Sequence, residues 1–212
     1  MSNFNKNVAE KFWKNRSIYP NYPNLIKRRL VDLNFMVPFL DGASSILDLG
    51  CGDGYLLRAL RDFTDIETFY GYDMSNIMIE SLKKSWGNLK YLNAEVCDFV
   101  KKDNYPKTDI TMALGSFMYI DDNDLRAVLS NMVSDILILR SSCTLEKEDE
   151  IIDKFSEDLS DNYSAIYRTV GNYIAILSDY FVVDNICRSY PDEIESKYGS
   201  KQFFFVCERE GK

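Results

Sequence analysis

The spacing of apolar positions changes period several times along the chain. Between about residues 44 and 140, short β-rich apolar runs alternate with stretches whose apolar residues recur at helical spacing. That order is the one parallel strands joined by crossover helices require, and it predicts an α/β sheet. Strands are predicted over 46–49, 68–72, 90–93, 110–114 and 136–139, each bounded by polar or turn-forming residues. Helices are predicted between them: over 55–61 behind a cluster of glycines, over 76–84 with Ser75 as N-cap, and over 124–132.

The flanks read differently. The first 43 residues predict two helices, near 8–14 and 24–37. They are separated by Ser17-Ile18-Tyr19-Pro20-Asn21-Tyr22-Pro23, which its prolines keep from being helical throughout. Beyond Thr144 the pattern predicts a strongly charged helix over 146–159 and a second helix over 169–180. Phe181-Val182-Val183-Asp184-Asn185-Ile186 follows as a strand, and 202–208 is the last one. No long apolar helix lies between these two strands, which predicts an antiparallel pair at one edge of the sheet. At 212 residues, with no repeat or linker, the chain reads as one domain.

Composition narrows the function classes. With 46% hydrophobic and 27% charged residues, the chain belongs with folded globular sequences rather than disordered or low-complexity ones. A formal charge of −8 repels phosphate backbones and argues against nucleic-acid binding. The longest apolar runs are far too short for a membrane span, and no signal peptide is expected. Five scattered cysteines, none in a C-x-x-C pair, fit reduced thiols in a cytoplasmic protein and no metal site. Histidine is absent, which removes the H-E-x-x-H zinc site, the Ser-His-Asp triad and any imidazole base.

The stretch that carries chemistry is Ile46-Leu47-Asp48-Leu49-Gly50-Cys51-Gly52-Asp53-Gly54-Tyr55, a strand running through alternating glycines into a helix. Such glycines let a ligand approach the backbone. The dinucleotide fingerprint needs a glycine where Tyr55 stands, so a nicotinamide cofactor is disfavoured. Asp48 adds negative charge where a phosphate would have to sit, yet suits a cationic ligand bearing an ammonium, as S-adenosylmethionine does. Asp73, at the end of the second predicted strand, has two oxygens able to accept from ribose hydroxyls. Met74 is then set to lie against an adenine face, and Asp98, after the third strand, to accept from the adenine amino group.

With these residues in order, the sequence resembles the class I S-adenosylmethionine-dependent methyltransferases over essentially its whole length. The resemblance implies a Rossmann-like seven-stranded sheet of order 3-2-1-4-5-7-6, strand 7 antiparallel, with helices on both faces. It implies that residues 1–43 form a helical lid on a core of residues 44–212. By analogy Gly50 and Gly52 lie along the methionine portion, Asp73 holds the ribose, and Asp98 with the Cys97 backbone reads adenine. The fourth strand, ending at Leu114-Gly115, then lies under the transferable methyl. It lacks the Asn/Asp-Pro-Pro-Tyr/Phe tetrapeptide of methyltransferases that act on nucleobase or glutamine amides.

Methyl transfer from a sulfonium needs alignment and desolvation more than acid–base help. Without histidine, an amine that brings its own lone pair is a simpler acceptor than a hydroxyl, so N-methylation of a small molecule is the preferred expectation. Trp13, Tyr19 and Tyr22 in the N-terminal segment, and Tyr119 after strand four, are expected to face the acceptor, Tyr119 orienting it for catalysis. Tyr163, Tyr167 and Arg168 are expected to roof the pocket. Arg16 and Arg168 are candidate clamps for a phosphate or carboxylate on the acceptor, as in a phosphoethanolamine-like substrate. Two other readings stay open: O-methylation of a sugar or carboxylate metabolite, and a non-catalytic S-adenosylmethionine-binding subunit. The expected partners are a small-molecule acceptor and at most a second copy of the chain, with no nucleic acid, membrane or metal.

Overall fold

The computed structural model describes residues 4–15, 24–156, 161–195 and 200–210. Its centre is β1 (Ser45–Leu49), followed by α3 (Tyr55–Phe63), β2 (Thr68–Asp73), α4 (Asn76–Trp86), β3 (Leu92–Val96), β4 (Thr108–Leu114), α5 (Asp122–Asn131) and β5 (Ser134–Thr144). Two helices precede it, α1 (Lys6–Lys14) and α2 (Leu25–Met36). Behind it come β6 (Glu150–Ser156), β7 (Asp161–Tyr167), α6 (Val170–Leu177), β8 (Val182–Arg188) and β9 (Ser200–Glu208). Seven strands form one sheet in the order β3-β2-β1-β4-β5-β9-β8, with β9 antiparallel to both its neighbours. This is the Rossmann-like order the sequence implies.

The local reasons are legible. Strand period puts successive side chains on opposite faces. Leu47, Leu49, Ala113, Leu137, Leu139 and Phe205 accordingly join α5 and α6 in one core, while Ile46, Met112, Ile138 and Phe204 meet residues of α2, α3 and α4 in the other. A strand buried on both sides needs a near-continuous apolar run, which β1 and β4 supply. Helix starts are capped by side-chain oxygens that take otherwise orphaned amides: Asn5 accepts from Val8, Ser75 from Met78, Asp121 from Asp124 and Thr169 from Asn172.

Two expectations are corrected. Where a charged helix is expected over 146–159, the described residues hold β6, which pairs antiparallel with β7 as a separate two-stranded sheet; residues 157–159 lie outside the described residues. Ile151 and Ile152 of β6 face Ile166 and Ala165 across the pair. β7 buries Tyr163 to Ile166, and this packed strand templates β6, a tertiary contact that overrides helix propensity. The third strand starts at Leu92, because Leu89–Tyr91 forms a 3-10 turn capped by Asn88. All five cysteines are free thiols. Among the described residues no helix is long and apolar enough to cross a membrane.

Candidate active site

Parallel strands end together, and the turns that leave them converge on a cleft. The cleft lies at the carboxyl ends of β1, β2, β3 and β4 and holds about 790 Å³ of space up to its open mouth. Gly50, Asp73, Met74, Cys97, Asp98 and Leu114 line it, joined by Gly115 and Ser116 from the turn after β4 and by Tyr119. The fourth side is α1, whose Lys6, Ala9, Glu10 and Trp13 fall at i, i+3, i+4 and i+7 on one face.

The glycine loop is shaped by close approach. Gly50 has φ +88°, and a Cβ there would stand 2.8 Å from the Cβ of Ser116. Ser116 in turn donates its hydroxyl to the Leu49 carbonyl at 2.6 Å, closing the ends of β1 and β4 against each other. Gly54, φ +68°, has no room for a Cβ beside Leu82. A side chain at either position would push the loop off the sheet.

Asp73 sits in this frame with both oxygens fixed. The Gly52 amide donates to Oδ2 at 2.8 Å and the Ser75 amide to Oδ1 at 2.9 Å. Burial raises its pKa, and the two amides oppose that. Each oxygen keeps accepting capacity, so the carboxylate presents acceptors to the cleft from a rigid mount. Asp98 accepts from the Val100 amide at 3.3 Å and pairs with Lys101 at 2.7 Å. The Cys97 amide already donates to the Asp73 carbonyl at 2.9 Å, so its N–H is used within the sheet while the residue still lines the cleft.

Asp48 and Gly52 are not among the lining residues. Asp48 is buried beneath the loop on the face that also carries Arg140, and its pKa is pushed up to about 8, first by burial and then by the Asp73 charge, against the pull of Arg140. Arg140 pairs with buried Asp32 of α2 at 3.1 Å and donates to the Leu114 carbonyl at 3.0 Å, so it braces the floor of the cleft.

Above the floor, Trp13 stands edge-on to Tyr119 with ring centroids 4.9 Å apart. Tyr119 shares a hydrogen bond with the Tyr163 hydroxyl at 3.3 Å, and Tyr163 shares another with Tyr167 at 3.3 Å. Tyr163 and Tyr167 therefore stand behind Tyr119 rather than on the cleft wall. Burial raises the Tyr163 pKa well above that of a free phenol, so the hydroxyl between the other two is neutral. The Trp13 indole nitrogen is buried with no hydrogen-bond partner among the described residues.

The anion clamp expected of Arg168 is not what the fold builds. Its guanidinium is fully buried, donating to Asp122 at 2.8 Å and to the carbonyls of Phe117 at 3.1 Å and Ile120 at 2.7 Å. β7 ends against the 117–120 turn, so the guanidinium is enclosed there and does not line the cleft. Arg16, Tyr19 and Tyr22 lie outside the described residues. Lys6, Glu10 and Ser116 were not anticipated. Projecting α1 from Trp13 in helical steps would have found the first two, whereas Ser116 carries no signal of its own. Among the described residues no three His, Cys, Asp or Glu side chains are grouped to hold a metal ion.

Residues 46–135 match the model of a family described as a methyltransferase domain. Two curated relatives from Ilyobacter polytropus, named malonyl-[acyl-carrier protein] O-methyltransferases 1 and 2, are 28% and 27% identical over 118 residues. Those alignments cover 55% of this chain and 44% and 45% of the relatives, so the matched part spans less than half of their length. Among solved structures, a putative S-adenosylmethionine-dependent methyltransferase from Listeria monocytogenes superposes with TM-score 0.69 at 18% identity, covering 88% of this chain and 100% of that one. Geranyl diphosphate C-methyltransferase from Streptomyces coelicolor A3(2), in complex with Mg2+, geranyl diphosphate and S-adenosyl-L-homocysteine, gives 0.68 at 14%, covering 96% and 97%. Magnesium protoporphyrin IX methyltransferase from Synechocystis PCC 6803, with bound S-adenosylmethionine, gives 0.65 at 15%, covering 97% of both. At these identities the superpositions speak to the fold. With the strand order they show a Rossmann-like methyltransferase fold, and the sequence match is to a methyltransferase domain over residues 46–135.

Proposed function

We propose that the chain transfers a methyl group from S-adenosylmethionine to the nitrogen of a small amine. The observation that carries the donor half is Asp73: a carboxylate held by two amides, lining the same cleft as Gly50 and Tyr119. The cleft fits the donor in chemistry. On the nucleoside side its charged lining is the carboxylates Asp73 and Asp98, which suit a ligand that carries a cation and ribose hydroxyls. Asp73 would hold the ribose, Asp98 and Met74 the adenine, and Gly50 would let the methionine portion approach the backbone.

Bound there, S-adenosylmethionine supplies an activated methyl on positively charged sulfur. The chain's own work is then to align and to dry. Ser116 and Arg140 fix the β4 exit beneath the reacting centre, and α1 with Trp13 covers it as a lid. Tyr119, backed by Tyr163, offers a hydroxyl that orients the acceptor nitrogen. A neutral amine needs no base, which agrees with a chain that has no histidine. With Arg168 committed to carbonyls and Asp122, no described arginine clamp favours a phosphate-bearing acceptor.

A second reading, O-methylation of a carboxylate, is favoured by the names of the two Ilyobacter relatives. The test is mass spectrometry of reactions with methyl-labelled donor and matched panels of amines and carboxylic acids. S-adenosylhomocysteine appearing with an N-methylated product supports the proposal. An O-methyl ester would replace it with the second reading, and no S-adenosylhomocysteine with either panel would favour a binding subunit without turnover.

A further inference from the structure

Three carboxylates line the cleft, and two have a task in the nucleoside end of the donor. Glu10 has none. It lies one helical turn before Trp13 on the face of α1 that lines the cleft. Two lysines that feel its charge are committed elsewhere: Lys6 pairs with Asp124, and Lys101 pairs with Asp98 at 2.7 Å. Both lysines feel Glu10 only as a secondary influence behind those closer partners. No hydrogen bond or ion pair joins Glu10's side chain to another described residue. A carboxylate at the edge of an aromatic wall, without a cation of its own, has the two components from which cation recognition is built: charge and π faces.

We propose that Glu10 is the recognition residue for the acceptor's ammonium group, with the Tyr119 hydroxyl also on the nitrogen and the Trp13 and Tyr119 rings flanking the hydrophobic part of the molecule. The substrate class is then a hydrophobic amine that binds as a cation. It gives up one proton to water before its freed lone pair attacks the methyl, the S-adenosylhomocysteine sulfur leaving as a neutral thioether. The inference rests on the amine reading above and adds to it a residue and a class of molecule. It also gives α1 a part in selectivity: a neutral alcohol of the same shape gains the aromatic contacts and loses the ionic one.

Intrinsic fluorescence tests it. The chain has two tryptophans, and Trp86 is buried outside the cleft lining, against Phe69. In a Trp86→Phe background, Trp13 reports binding directly. With saturating S-adenosylhomocysteine, 2-phenylethylamine should quench Trp13 with an affinity about tenfold better than 2-phenylethanol, the size of one charge-assisted contact. Glu10→Gln should erase that preference, Glu10→Asp should restore part of it, and the affinity for S-adenosylhomocysteine should stay unchanged in both. Equal affinities for amine and alcohol, no quenching by either, or a preference that survives Glu10→Gln would overturn the proposal. Weakened S-adenosylhomocysteine binding in Glu10→Gln would also overturn it, assigning the carboxylate to the donor. Product analysis keeps the two claims apart: N-methylated products from an enzyme whose amine preference ignores Glu10 remove this residue only, whereas O-methylated products remove the amine reading beneath it.

Discussion

Asp48 and Asp73 stand on adjacent strands and meet different surroundings. Asp73 opens on the cleft with two amides to hold its charge, while Asp48 is buried beneath the loop with Asp73 itself as a repelling neighbour. The consequence is a sign that can be measured. The folded pKa of Asp48, about 8, lies above the ordinary value of 3.8, so the folded state holds this proton more tightly than the unfolded one. The stability this contributes is complete below the ordinary value and is lost as pH rises towards about 8. Burial raises Asp32 and Asp73 in the same direction, so they steepen the same decline. Asp48→Asn should therefore flatten the fall in melting temperature between about pH 5 and about pH 8, and a variant with the full wild-type slope would contradict the assignment. Tyr119 offers a second residue-scale test. Replacing it with Phe keeps the ring against Trp13 and removes the hydroxyl shared with Tyr163. The expected result is a loss of roughly 1–3 kcal/mol in kcat/KM with donor affinity intact. Full activity with a lowered melting temperature would make Tyr119 a packing residue.

Among the elements, the β6–β7 hairpin is the one the sequence hid. Residues 146–152 read as a charged amphipathic helix because Glu, Lys and Asp dominate them, and β6 is half exposed along its length. What decides its form is β7, packed against α1 and the 117–120 turn, a contact no local pattern announces. The Asn5 amide donates to Ser164 Oγ at 3.0 Å and Phe12 meets Tyr163 with ring centroids 6.1 Å apart, so the hairpin also supports α1 over the cleft. Arg168 joins these pieces, and its burial explains why reading it as an anion clamp failed: a guanidinium in sequence carries no sign of which way it will face. Arg168→Met should destabilise the fold by about 3 kcal/mol, because two buried carbonyls lose their donors, with a discount for Asp122, which is half exposed and can turn to water. Donor affinity should change little in the fraction that stays folded. Unaltered stability in a denaturant titration, with acceptor affinity lost, would return Arg168 to the clamp role.

On the scale of the molecule, the alternation of strand and helix was enough to predict an α/β sheet of parallel strands, the strand order was what the resemblance to the methyltransferases implied, and the antiparallel edge followed from the absence of a helix between the last two strands. Glycines and carboxylates at strand ends located Gly50, Asp73 and Asp98 on the cleft lining, because strand ends are fixed by hydrogen-bond register. The acceptor side was less legible, since it is assembled from α1, the β4 exit and the support behind them, elements far apart in sequence. The −8 charge is consistent at this scale too, with acidic residues outnumbering basic ones around a cleft proposed for two cations. The central claim, that this cleft binds S-adenosylmethionine through Asp73, is tested most directly by calorimetric titration of S-adenosylhomocysteine into the wild-type chain and the Asp73→Ala variant. One site in the wild type, weakened by roughly 1–3 kcal/mol in the variant with its circular dichroism unchanged, is the expected result. No binding heat in the wild type, or equal affinity in the two proteins, would contradict it.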